Sequence, residues 1–111
     1  MSSSESAVPL SAEYMVEGPV HLRNFNAARH AGEAAIEALP VGDASSGAAI
    51  AINFAQLEFA NSLTVALMIA WYRLAEQRGC TVRFTNLPAS LQQVVAFSGL
   101  VGVLPIDSPA A

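Results

Sequence analysis

Residues 54–79 read FAQLEFANSLTVALMIAWYRLAEQRG. The stretch opens as the end of an apolar strand, crosses a polar pair at Asn61–Ser62, and then runs apolar until Gly79. Asn and Ser are side chains that satisfy the free N–H groups of a first helical turn. Glycine adopts the left-handed conformation that closes a helix. The spacing therefore predicts a long helix over 62–78, entered directly from a strand. One strand feeding one helix through a short polar break is a βα unit, and the flanking chain reads as further copies of that unit.

Upstream, AAIAINF at 48–54 is apolar at every position but Asn53, which predicts a central strand covered on both faces. Segments 13–16 and 20–22 flank Gly18–Pro19, a turn signal, and predict a short hairpin. Asn24–Phe25–Asn26 supplies capping residues for an alanine-rich helix in which Ala28, Ala31, Ala35 and Leu39 share a face. Gly32 weakens that helix, Pro40 and Gly42 end it, and 41–47 is expected to be a loop. Downstream, TVRFT at 81–85 alternates as a strand does, Asn86–Leu87–Pro88 turns the chain into a short helix over 89–98, and 101–106 is a candidate last strand. The expected order is β-β-α-β-α-β-α-β, an α/β fold with right-handed crossovers and mostly parallel pairing.

The chain has 111 residues, the size of one domain. Residues 1–12 are Ser-rich with no apolar period and are expected to form a loose tail; 13–106 form the domain and 107–111 a C-terminal tail. Only 13% of residues are charged and 53% are hydrophobic, which calls for a membrane segment or a surface covered by a partner. The longest apolar run, 63–72, is far short of the roughly 20 residues a span requires. The first ten residues have neither the positive charge nor the apolar core of a secretory signal, so a cytoplasmic, soluble chain is expected. A net charge of −4 disfavours nucleic acid and anionic membrane surfaces as partners. Cys80, the single cysteine, has no internal disulfide partner.

On a helical wheel Leu63, Ala66, Leu67, Ala70 and Leu74 fall on one side, the expected stripe for the sheet. Val65, Met68, Ile69 and Tyr72 fall opposite, with Trp71 at the boundary. Another helix covers this second apolar face, or a partner protein does. At the helix start, Asn61 or Ser62 acts as the N-cap, or Ser62 accepts a phosphate that the positive helix end would hold.

With these residues in place, the chain resembles a STAS domain, the fold of sulfate transporters and anti-sigma-factor antagonists. The family pattern at the helix start is Asp-Ser or Asp-Thr, small residues including Gly, and a run such as L-A-L-L; here it is Asn61–Ser62–Leu63–Thr64–Val65–Ala66–Leu67–Met68. The following IAWYRLAEQRGCTVRFTNLPASLQQVVAFSGLVGVLPI is similar to the MlaB branch in its W-x-R helix, its N-L-P turn and its Gly-containing end. The resemblance implies a small mixed, mostly parallel sheet with three or four helices packed on it. It implies a cytoplasmic subunit, peripheral to the inner membrane, that binds the ATPase of a phospholipid-transporting ABC system in outer-membrane lipid asymmetry and has no catalytic chemistry or cofactor. The contact region implied is Asn61, Ser62, Leu63 and Thr64, with Val65, Met68, Ile69 and Tyr72 on the outward helix face. In anti-sigma-factor antagonists the residue equivalent to Ser62 is phosphorylated by a partner kinase, the alternative function; a self-associating homodimer is a third reading. Asn61 replaces the family's acidic residue and Leu63–Thr64 its small residues, which disfavours the kinase reading more than the docking one.

Other constellations carry little. His21 and His30 lack further ligands at metal spacing. No G-x-S-x-G elbow accompanies Ser62, and no phosphate-loop motif is present, so neither a hydrolase nor the ATPase itself is expected.

Overall fold

The computed structural model describes residues 12–39 and 48–107. The elements run β1 (Ala12–Gly18), α1 (Phe25–Glu37), β2 (Ala49–Leu57), α2 (Ser62–Arg78), β3 (Thr81–Thr85) and α3 (Ala89–Phe97). Of the expected tails at 1–12 and 107–111, Ala12 instead opens β1 and Asp107 bonds to Phe84, and the remaining tail residues, like the expected loop at 41–47, lie outside the described residues.

The described strands form one sheet in the order β1-β2-β3, and both pairings are parallel. Right-handed crossovers that step the same way across a sheet place α1 and α2 on the same face. The core agrees: Ile50, Ile52 and Phe54 of β2 join Val82 and Phe84 of β3 in it, beneath Leu67, Met68 and Trp71 of α2 and Ile36 of α1. Tyr14, Ile52 and Phe84 are register partners across the three strands and so share this face. On the other face Ala49, Ala51 and Asn53 are buried too, so β2 is closed to solvent on both faces from Ala49 to Phe54. The expected central strand covered on both faces is thus what forms. Asn53 donates to the Glu13 carboxylate at 3.0 Å and accepts from the Ala55 N–H at 2.8 Å, so the central strand's polar residue is satisfied within the sheet.

Two expected strands do not form. Residues 20–22 make no strand, and β1 pairs in parallel with β2, so there is no hairpin. Positive-φ Gly18 ends β1, and Pro19 has no N–H with which to continue a ladder. Residues 101–106 shrink to a single parallel bridge between Phe84 and Ile106, held by Phe84 N–H to Pro105 carbonyl and Asp107 N–H to Phe84 carbonyl, each 2.9 Å. Gly99 and Gly102, both at positive φ, keep the preceding chain in turns. The described sheet is wholly parallel, in keeping with the mostly parallel pairing expected and without its antiparallel part.

The helix α2 starts at Ser62 and ends at Gly79, which has φ 72°, as expected, but its buried arc is rotated. Thr64, Val65, Leu67, Met68, Trp71 and Ala75 are buried, while Leu63, Ala66, Ala70 and Leu74 are only half-buried. At 100° per residue the centre of the buried arc lies about a quarter-turn from the Leu63–Leu67–Leu74 stripe. Thr64 hides the arc in the sequence. Its hydroxyl lies 3.4 Å from the Asn61 side-chain oxygen, which lets a polar residue occupy the core. Trp71 is fully buried and packs edge-on against Tyr14 with ring centroids 6.0 Å apart. Its indole N–H donates to the Arg29 carbonyl at 3.0 Å. Gly32 faces that indole: a Cβ there would sit 2.5 Å from Cζ2 and closer still to Nε1 and Cε2. The glycine that weakens α1 is what lets α2 approach it.

Candidate functional site

Parallel strands deliver the starts of all three helices to one edge of the sheet, where strands β1, β2 and β3 end. Two loops are joined there. The Asn61 amide donates to the Val20 carbonyl at 2.9 Å, and the Glu58 N–H donates to the Gly18 carbonyl at 3.3 Å. Within the first loop, Asn24 accepts from the His21 N–H at 2.8 Å and donates to the Pro19 carbonyl at 2.9 Å. These bonds hold a short surface in a defined shape although no regular ladder passes through it.

Asn61 is the N-cap of α2. Its side-chain oxygen accepts from the Thr64 N–H at 3.1 Å while its amide holds the β1–α1 loop. Ser62 is the first helical residue, is exposed, and makes no side-chain hydrogen bond to a described residue. The choice between Asn61 and Ser62 as cap is thus resolved in favour of Asn61, which leaves the Ser62 hydroxyl at the positive helix end. The first turn holds no acidic residue to neutralise that end.

The expected contact residues divide. Ser62 is at the surface, and Leu63, Ile69 and Tyr72 are half-exposed on α2. Thr64, Val65 and Met68 are in the core, with Met68 0% exposed, and none presents a side chain to a partner. The reason is the rotation of the buried arc. Two residues the sequence reading did not single out are on this edge instead: Leu22, 81% exposed, and Phe59, 65% exposed. Each is a lone large apolar side chain in a polar connection, Leu22 between His21 and Arg23, Phe59 after Glu58. That placement is the signal for them, since a loop residue with no core to fill is free to meet something else.

The histidines do not converge on Ser62 in any described contact. His30 lies on α1 beside Arg29, whose guanidinium is paired with Glu33 at 2.9 Å. Among the described residues no three His, Cys, Asp or Glu side chains group at metal-binding distance. No described helix is long and apolar enough to cross a membrane. The phenol of Tyr72 is shifted above its usual 10.0 by hydrogen bonding and charge from Glu76, and that of Tyr14 by burial and then by Glu17.

Residues 20–105 match the family described as Mlab, STAS domain. None of the curated proteins compared matches the chain. Among solved structures, the STAS domain of a SulP transporter from Vibrio cholerae is similar in fold, with a TM-score of 0.63 and 16% identity over 86% of this chain and 70% of that one. The match spans most of the chain, which therefore belongs to the MlaB-type STAS-domain family. STAS domains are in general non-catalytic modules of regulation and protein–protein interaction, and the fold described above is theirs.

Proposed function

We propose that this member of the family is a regulatory and assembly subunit that binds the ATPase of a phospholipid-transporting ABC system and performs no catalysis itself. It works at the cytoplasmic side of the inner membrane, held there by its partner. The docking surface is the edge where α2 begins: Ser62 and Leu63, the half-exposed Ile69 and Tyr72 further along, and the loop residues Leu22 and Phe59. One observation carries this reading. Asn61 caps the helix and ties two loops together, so the Ser62 hydroxyl is spared for a partner on an edge that also exposes two large apolar side chains. Buried apolar anchors ringed by polar groups are what stable protein interfaces are built from.

The exposed Ser62 at the positive end of α2 also favours a second reading, a partner-switching module phosphorylated at Ser62 in the manner of anti-sigma-factor antagonists. A pull-down of the tagged chain from native lysate, with mass spectrometry of bait and prey, separates the two. Recovery of an ABC ATPase with unmodified Ser62 supports the transporter reading. A small serine kinase in the prey, or phosphate on Ser62, overturns it.

A further inference from the structure

From its start at the docking edge, α3 runs away from it, and with the segment that follows forms a surface of different character. Residues 86–106, NLPASLQQVVAFSGLVGVLPI, contain no charged residue and no histidine, although the chain carries five basic and nine acidic side chains elsewhere. Three of the large apolar side chains that stand exposed among the described residues are here: Phe97 at 91%, Val101 at 69% and Val103 at 56%. Beside them a groove of about 510 Å³ runs between α3 and the C-terminal segment, lined by Leu87, Val95, Ala96, Val101, Leu104 and Ile106. Its two polar lining side chains are already engaged: Gln92 donates to the Leu87 carbonyl at 2.9 Å, and Asp107 accepts from Arg83 Nε at 3.0 Å. The groove therefore recognises shape and apolar surface and has little hydrogen bonding to offer.

We propose that this patch is where two copies of the chain meet. The charge distribution selects the occupant. Two copies of a chain of net charge −4 repel on average, and 86–106 is a face without charge of its own, where the one carboxylate lining the groove, Asp107, is already paired with Arg83. A two-fold contact also needs a surface complementary to itself. A protruding phenyl ring at Phe97 beside a groove roomy enough for one meets that condition, each copy's ring entering the other's groove. The three exposed side chains offer on the order of 350 Å², against roughly 800 Å² per partner in a standard interface. A contact of that size is at the weak, transient end of protein interfaces, so the dimer is populated only at high concentration. The proposal does not rest on the ATPase reading. Phe97 ends α3, about 12 Å along the helix from the edge where the docking loops lie.

Sedimentation equilibrium of the full chain from about 1 μM to about 500 μM tests this. The average mass is expected to rise from 11.6 kDa toward twice that value. Phe97→Asp should stay at the monomer mass throughout, with an unchanged circular dichroism spectrum because the side chain is exposed. Phe97→Ser, which adds no charge, should weaken association at least tenfold, and Phe59→Asp, on the other edge, should associate as the wild type does. A wild-type chain that remains at 11.6 kDa at the highest concentration overturns the proposal. So does an association that survives Phe97→Asp or is abolished by Phe59→Asp.

Discussion

Gly32→Ala puts two general rules in opposition. Alanine is favoured over glycine in a helix interior by about 1 kcal/mol, so propensity alone makes this substitution stabilising. The structure reverses the sign. The new methyl would lie 2.5 Å from Trp71 Cζ2 and nearer still to Cε2 and Nε1, deep inside contact distance of a rigid ring. Trp71 is fully buried, its N–H is committed to the Arg29 carbonyl at 3.0 Å, and its edge meets Tyr14, so it has no free direction in which to retreat. Overpacking of a core costs about 1–3 kcal/mol, and stretching the indole hydrogen bond adds about 1 more. After the helix gain is set against these, the expected net loss is about 2 kcal/mol, or roughly a 10 °C fall in melting temperature for a domain of this size. Urea unfolding of the wild type, Gly32→Ala, Trp71→Phe and the double variant forms a complete cycle. The cycle should return a coupling of about 1–2 kcal/mol, because phenylalanine lacks the atoms that the methyl strikes. A Gly32→Ala protein as stable as wild type, or more stable, would refute the packing of α1 on α2 described here.

Asn61→Ala removes the α2 cap and the bond to the Val20 carbonyl together and should cost about 1–2 kcal/mol in urea unfolding, with faster amide exchange in the β1–α1 loop. Ser62→Asp should bind the partner much more weakly while its own fold gains a few tenths of a kcal/mol, since an acidic side chain joins a first turn that has none. Ser62→Ala should lose no more than about 1 kcal/mol of binding, the net value of one hydrogen bond. Both tyrosines should ionise above 10.0 when tyrosinate absorbance is followed with pH. For Tyr14 the folded value is raised by burial, so its contribution to stability is intact below the unfolded value and fades as pH rises through the folded one; alkaline unfolding should accompany its titration.

Local punctuation was legible in the residues. The start of α2 at Asn61–Ser62 and its stop at Gly79, the alternation of TVRFT in β3, and the Asn86–Leu87–Pro88 turn before α3 are short-range signals, and each is where the sequence reading places it. Faces and partners were less legible because they depend on residues far apart in the chain. Thr64 reads as polar, and its core position follows from Asn61 engaging it. Gly32 reads as a defect of α1 until Trp71, 39 positions later, occupies the space it leaves. Val20–Leu22 read as a strand on apolar content, but Gly18 and Pro19 end the ladder before it and the Val20 carbonyl is taken by the Asn61 amide from another loop. Of the expected contact set, Ser62, Leu63, Ile69 and Tyr72 keep surface positions, whereas Thr64, Val65 and Met68 do not.

The claim that the start of α2 is the docking edge is tested most directly by parallel affinity capture with wild-type, Ser62→Asp and Phe97→Asp baits, quantifying the ABC ATPase recovered by each. The account predicts equal recovery on wild-type and Phe97→Asp baits and loss of at least tenfold on Ser62→Asp, all three chains being folded. Full ATPase recovery on Ser62→Asp, or loss on Phe97→Asp alone, would contradict it.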